Sequence, residues 1–117
     1  MVKVYMYKGC DSCRKALKFL DARDVEYTAI PVREQPPSRK ELRAMVDALD
    51  GNIQKMFNTS GGSYRSMNLK ARMRLLTPGQ KIDLLARDGS LVKRPFVIGD
   101  GIHLVGFNPD IWESAFS

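Results

Sequence analysis

Hydrophobic and polar side chains alternate along the chain with two different periods, and each change of period predicts an element boundary. An alternating run over residues 2–7 indicates a first strand, and apolar positions at helical spacing from Asp11 to about Arg23 indicate a helix. Residues 25–30 alternate again, as a second strand does. With the usual right-handed crossover, this βαβ unit has parallel strands.

The middle of the chain, residues 38–88, carries helical signals only. Ser38 followed three residues later by Glu41 is a capping box, and Thr77 followed by Pro78 is a second helix start. Between these two starts, glycine and asparagine break the periodicity into shorter pieces. We predict helices over about 39–49 and 78–88, a shorter one over 53–57, and one or two helical turns near 64–76. The segment is interpreted as a helical insertion.

Two β runs and a short helix complete the chain. Residues 94–98 and 102–105 read as strands joined by a glycine-rich hairpin turn, and Asn108 followed by Pro109 starts a final helix. We expect three residues on the apolar side of that helix: Ile111, Trp112 and Phe116. The order βαβ, helical insertion, ββα predicts a single α/β domain over residues 1–117 with a mixed four-stranded sheet.

The two cysteines among the 117 residues narrow the class of protein further. They stand three positions apart, so they cannot join distant segments as the disulfides of small secreted domains do. Together with His103, the single histidine, they supply too few ligands for a tetrahedral zinc site, and we expect no metal. No run of about 18 apolar residues and no signal-like start is found, so we expect a cytoplasmic protein without a membrane segment.

The net charge of +6 arises from one part of the chain. No acidic residue lies between Asp50 and Asp83, whereas six cations do: Lys55, Arg65, Lys70, Arg72, Arg74 and Lys81. Such a patch attracts an anionic small molecule, an acidic protein surface or nucleic acid, but it is also typical of a solvated helical face. Because no stacking aromatics or nucleic-acid motif accompany the charges, we expect no direct nucleic-acid binding.

Cys10 and Cys13 form a CxxC pair where the first strand hands over to the first helix. A thiolate is the reactive form of cysteine, and the positive end of a helix stabilises it. Positions i and i+3 lie on one helical face, close to disulfide distance. We therefore expect Cys10 to attack and Cys13 to resolve, as in a thioredoxin-like redox site. A coincidental pair or half of an intermolecular zinc site are the alternatives.

Several segments together resemble the ArsC/Spx family of thioredoxin-like proteins. They are the Gly9–Ala16 run containing the CxxC, Glu26-Tyr27, the segment Phe57–Arg65, Lys93-Arg94-Pro95, Val105-Gly106-Phe107 and Trp112-Glu113. The resemblance spans nearly the whole chain and implies a thioredoxin-like fold with a helical insertion between its βαβ and ββα halves. The family includes glutaredoxin-linked arsenate reductases and Spx-type regulators that bind RNA polymerase and sense oxidation through a CxxC.

The resemblance also implies roles for single residues. Cys10 matches the family nucleophile, Arg94 matches the arginine beside it, and Pro95 matches the cis-proline. The arsenate reductases use three arginines around the oxyanion; here the other two positions hold Asn58 and a residue near Gly106, which argues against arsenate as the substrate.

Three further residues of the resemblance leave more than one reading open. Tyr64 and Arg65 are expected to line the site from the insertion, or simply to begin a helix. Gly51 matches a glycine at the polymerase contact of the Spx-type members, although a glycine that ends a helix explains it equally.

The resulting hypothesis is a thiol–disulfide oxidoreductase with Cys10 as nucleophile and Cys13 as resolving thiol. The alternatives are a redox-sensing Spx-type regulator that binds RNA polymerase and a glutathione- or glutaredoxin-dependent arsenate reductase. We expect no tightly bound cofactor, with glutathione, a glutaredoxin or a thioredoxin as electron donor. The expected substrate is a thiol, a disulfide or a small oxyanion, and the expected state is a monomer.

Overall fold

A four-stranded mixed sheet forms the centre of the computed structural model, which describes residues 1–117. Its strands are β1 (Val2–Met6), β2 (Tyr27–Pro31), β3 (Phe96–Gly99) and β4 (Ile102–Val105), in the spatial order β2-β1-β3-β4. The β1–β2 pair is parallel, and the β1–β3 and β3–β4 pairs are antiparallel. The predicted mixed sheet, with its parallel βαβ unit and its C-terminal hairpin, is confirmed.

Strand β2 begins two residues later than the alternation of side chains indicated. The N–H of Val25 still donates to the carbonyl of Leu20, 3.1 Å away, and Asp24 between them is in the left-handed region with a φ of 54°. The end of the preceding helix therefore extends to residue 25. Only after that turn does the chain enter the sheet.

Six helices surround the sheet. They are α1 (Asp11–Ala22), α2 (Arg39–Ala48), α3 (Gly62–Ser66), α4 (Leu69–Arg72), α5 (Pro78–Arg87) and α6 (Pro109–Ala115), with single 3₁₀ turns at Ile53–Met56, Met73–Leu75 and Gly89–Leu91. The capping box at the start of α2 is confirmed, because the Ser38 hydroxyl accepts from the Glu41 N–H at 3.1 Å. At the start of α5, Thr77 and Gln80 form a second one.

The sheet carries one hydrophobic cluster on each face because alternate residues of a strand point to opposite sides. Tyr5 and Phe96 face the insertion, where they pack with the apolar sides of α2 and α5. Val4 and Val97 face α1 and α6, where Trp112 is 1% exposed. The insertion therefore covers one face of the sheet, and α1 and α6 cover the other.

The expectation that Ile111 packs on the apolar side of α6 is wrong. Its side chain is 56% exposed, whereas the next residue, Trp112, is buried and Phe116 is partly buried. Neighbouring positions on a helix point about 100° apart, so a seven-residue helix that buries Trp112 turns Ile111 toward solvent.

A close backbone contact holds the end of the insertion against the end of β2. A Cβ on Gly89 would lie 1.8 Å from the carbonyl oxygen of Val32, so only glycine fits at this position. The contact brings the residues that follow α5 next to the residues that follow β2.

None of the six helices has the length and apolar composition of a membrane-spanning segment.

Candidate active site

Cys10 lies at the N-terminus of α1, as the sequence predicted. It is the N-cap residue with an extended backbone (φ −91°, ψ 119°), and its Sγ accepts the backbone N–H of Cys13 at 3.3 Å. The hydroxyl of Ser12 lies 3.1 Å from the same sulfur. Cys10 is partly exposed and Cys13 is buried, and both are free thiols. One thiol of the pair is therefore accessible to a substrate while the other lies behind it.

The pKa values of the two thiols are shifted in opposite directions. Burial raises the pKa of Cys10, but hydrogen bonds from Cys13 and Ser12 and the positive charge of Arg94 outweigh burial and hold the pKa below its usual value. Burial raises the pKa of Cys13 to about 12, and the hydrogen bond to Cys10 and the negative charge there add to the effect. Cys10 is therefore the thiol of the pair that loses its proton first, and Cys13 holds its proton more tightly.

Arg94 reaches the site from the start of β3. Because β3 runs antiparallel to β1, with Phe96 opposite Tyr5, the residues before β3 lie near the end of β1 and hence near Cys10. The Arg94–Pro95 peptide bond is cis, as the resemblance implied, and Pro95 is buried. The Nη1 atom of Arg94 is buried without any hydrogen-bond partner. A buried donor without a partner is rare and marks a place where an acceptor from a ligand fits.

A wholly polar cleft of about 420 Å³ adjoins Arg94. Asn58, which stands at one of the arginine positions of the resemblance, lines it, and so do Ser63 and Ser90, whose hydroxyl oxygens are 2.7 Å apart. Gly61 belongs to the same wall, and a Cβ there would come within 2.8 Å of the Asn58 amide nitrogen. The cleft offers hydroxyl and amide groups beside a guanidinium, which are the groups that bind an anion.

Arg33 lines this cleft as well, and the sequence analysis missed it. Its guanidinium carbon lies 3.8 Å from the ring centroid of Tyr7, and that of Arg94 lies 5.0 Å from the same ring. A signal for this was available: parallel strands end at one edge of the sheet, so a residue just after β2 approaches the residues just after β1. Two arginines therefore face the cleft, although only Arg94 matches the arginine positions of the resemblance.

Tyr64 and Arg65 are not brought into the cleft. The Tyr64 ring packs 6.4 Å from that of Phe57, is 6% exposed, and lines a different cavity. Arg65 is exposed and does not line the cleft. Gly62 and Ser63 line the cleft, whereas the next residue along α3 lines the other cavity.

Gly106 lines a second, smaller cavity of about 360 Å³ between Arg94 and α6. Its φ of 74° lies in the left-handed region, which favours glycine. Since no arginine lines this side of Arg94, the trio of the arsenate reductases is not rebuilt here.

Gly51 ends α2. Its N–H donates to the carbonyl of Val46 at 2.8 Å, and its φ is 83° after a left-handed Asp50. Helix termination alone accounts for this glycine. No group of three or more His, Cys, Asp or Glu side chains is arranged to hold a metal ion.

The βαβ and ββα halves, with a CxxC at the start of α1, define the class of thioredoxin-like proteins. The chain belongs to the ArsC family, whose profile matches residues 5–115. It is 40% identical to YusI of Bacillus subtilis (strain 168) over 93% of this chain and 92% of that one.

Two other relatives bear functional names. A structure described as a possible arsenate reductase from Streptococcus mutans has a TM-score of 0.88 and 34% identity, covering 97% of this chain and 98% of that one. The global transcriptional regulator Spx of Streptococcus pyogenes serotype M1 is 26% identical over 94% of this chain and 81% of its own length. The relatives of this chain therefore include both a possible enzyme and a regulator.

Proposed function

We propose that the protein is a thiol–disulfide oxidoreductase with Cys10 as nucleophile and Cys13 as resolving thiol. The proposal rests on the difference between the two thiols. Cys10 is accessible and its pKa is lowered, whereas Cys13 is buried and its pKa is raised. A dithiol that exchanges with a substrate needs one thiolate to attack and one protonated thiol held in reserve.

The reaction runs through two exchanges. The Cys10 thiolate attacks a substrate disulfide, its sulfur bonds to one substrate sulfur, and the other substrate sulfur leaves as a thiolate that takes up a proton. Cys13 then loses its proton and attacks the Cys10 sulfur, which forms the Cys10–Cys13 disulfide and releases the second substrate thiol. The substrate gains two electrons and the protein dithiol loses them. Glutathione, a glutaredoxin or a thioredoxin reduces the protein again.

Arg94 has two roles in this proposal. Its positive charge favours the Cys10 thiolate, and its unpartnered Nη1 is available to an anionic group of the substrate. Asn58 and Arg33 line the same cleft and supply a second amide and a second guanidinium. Pro95, a substrate-contacting residue in this proposal, joins Arg94 to the start of β3. We also propose a cytoplasmic location. Glutathione and thioredoxin keep thiols reduced there, and the Cys10–Cys13 pair needs such a reductant after each turnover.

The proposal is tested with the reduced protein and a small neutral disulfide, bis(2-hydroxyethyl) disulfide, with turnover followed through glutathione oxidation. We expect Cys10→Ser to abolish turnover and Cys13→Ser to accumulate a mixed disulfide at Cys10, seen as an added substrate mass. Ser114→Ala is the control, because Ser114 is an exposed residue of α6 outside the cleft. Turnover that survives Cys10→Ser would contradict the proposal.

The Spx-type relatives favour a second candidate, a redox-dependent regulator with RNA polymerase as partner. Its test is co-purification of polymerase with the dithiol and with the disulfide form of the full chain. Binding that differs between the two forms, in the absence of disulfide turnover, would favour the regulator. An assay for arsenate reduction with glutathione and glutaredoxin tests the third alternative. We expect little turnover, because only one of the three arginines of the arsenate reductases, Arg94, is matched.

A further inference from the structure

A cavity separate from the cleft beside Arg94 lies in the helical insertion, and Tyr64 of α3 lines part of it. It has a volume of about 750 Å³, within the range of small-molecule sites. Ser63 belongs to the cleft beside Arg94, and the following residue, Tyr64, belongs to this cavity. The two spaces are therefore separate sites, lined by different residues of one short helix.

Three cations line this cavity, and they come from three different elements. Lys70 belongs to α4, Arg74 to the 3₁₀ turn that follows, and Lys81 to α5. They are half of the six cations that lie between Asp50 and Asp83. Lys70 and Arg74 lie four residues apart on consecutive helical turns, and the fold adds Lys81 from α5 to the same space.

No negative charge of the protein neutralises these three cations. None of them takes part in any of the ion pairs of the structure. Asp83, the nearest acidic residue along α5, pairs with Arg39 at 2.9 Å. Like charges around one cavity repel each other, and an anion bound between them relieves that repulsion.

The rest of the lining suits an organic phosphate. Tyr64 is almost fully buried, and its hydroxyl accepts from the Gln54 amide at 3.3 Å while its own hydrogen has no acceptor in the protein. The Asn68 amide lines the same space. Ala71 and Met73 add an apolar wall, which gives the uncharged part of a ligand a surface to contact.

We propose that this cavity binds a small molecule that carries two or three phosphate groups. Three cations match the charge of an organic diphosphate and most of the charge of an organic triphosphate, and the polar and apolar walls leave room for the organic part of such a ligand. The volume of about 750 Å³ is that of a small-molecule site, and on this ground we choose a small molecule over an acidic protein surface or nucleic acid. The site does not depend on the thiols.

Calorimetric titration of the full-length protein with sodium tripolyphosphate and, separately, with ATP, both without Mg²⁺, tests the proposal. Tighter binding of ATP indicates that the organic part of a nucleotide contributes, and equal binding indicates that the phosphates alone are recognised. Both outcomes support the site. We expect affinity to fall at least about tenfold between roughly 50 and 200 mM salt, as for a ligand held by three ion pairs. Cys10→Ser should leave binding unchanged, which separates this test from that of the proposed activity.

Two triple variants provide the decisive comparison. Exchange of Lys70, Arg74 and Lys81 for glutamine should weaken binding at least about tenfold. The control exchanges the other three cations of the same segment, Lys55, Arg65 and Arg72, and removes the same charge from outside the cavity.

The control triple should bind within about twofold of the parent protein. Circular dichroism and thermal melting check that both triples fold, and the single exchange Arg74→Gln, at an exposed position, repeats the test if one does not. Equal losses in the two triples, the absence of measurable binding, or tighter binding of a single-stranded oligonucleotide than of either phosphate would overturn the proposal.

Discussion

The reactivity of the two thiols should differ by orders of magnitude in the reduced protein. With a pKa of about 12, Cys13 is a thiolate at pH 7 in roughly one molecule in 10⁵. A thiol at the ordinary value of 9.0 is a thiolate in roughly one molecule in 100, and Cys10 lies below that value. Because alkylating reagents attack the thiolate, Cys10 should react at least about a thousand times faster than Cys13 near neutral pH.

Removal of the Cys10 charge should make Cys13 more acidic. Burial is the main reason for the raised pKa of Cys13, but the hydrogen bond to Cys10 and its negative charge contribute. In Cys10→Ser the charge is absent, so the pKa of Cys13 should fall while staying above the ordinary value. The same change occurs in the mixed disulfide, where Cys10 no longer carries a charge. Cys13 therefore becomes a better nucleophile at the step that needs it.

The assay is alkylation by iodoacetamide over a range of pH, with the modified residue located by mass spectrometry. The parent protein, Cys10→Ser and Cys13→Ser are compared, and N-acetylcysteine corrects for the reagent. Cys13 reacting as fast as Cys10 at pH 7, or Cys13 titrating at the same pH with and without Cys10, would refute the assignment of roles.

Three further predictions concern Arg94, Gly89 and Glu41. Arg94→Ala should slow alkylation of Cys10 near neutral pH by raising its pKa, and Arg94→Lys should recover part of the rate; identical pH profiles for Ala and parent would exclude the charge effect. Gly89→Ala should cost about 1–3 kcal/mol of unfolding free energy in urea because its Cβ meets backbone, whereas Gly62→Ala, with open space, should be near neutral. Hydrogen bonds from Tyr5, Ser38 and Lys3 outweigh burial and lower the pKa of Glu41. The free energy of unfolding of the parent protein should therefore fall as the pH drops below about 4.5, and in Glu41→Gln it should fall less steeply.

The elements that the sequence predicted well are those whose signals are local. The capping boxes before α2 and α5 and the glycine-rich hairpin between β3 and β4 depend on residues within four positions of one another, and all three are present. The start of β2 was less accurate, because Leu20 accepts a hydrogen bond from Val25 across the end of α1. That bond depends on how the helix ends and leaves no trace in the alternation of side chains.

The candidate site divides in the same way. The CxxC pair is a local motif, and the sequence placed it correctly at the start of α1. Arg33 reaches the cleft only because β1 and β2 are parallel and because Gly89 lets the insertion approach the end of β2. A residue's distance from the thiols along the chain therefore says little about its distance in space. What matters is which edge of the sheet its strand ends on.

Tyr64 illustrates the opposite case, a residue that the sequence associated with the thiols and that the fold directs elsewhere. It adjoins Ser63, which does line the cleft, but consecutive side chains on a helix point about 100° apart. Of the five residues of α3, Gly62 and Ser63 line the cleft and Tyr64 lines the other cavity. Three cations of the insertion line the cavity beside Tyr64, and the polar groups of the cleft lie beside Ser63. A ligand in the cationic cavity would therefore contact the same short helix that forms one wall of the cleft, without touching either thiol.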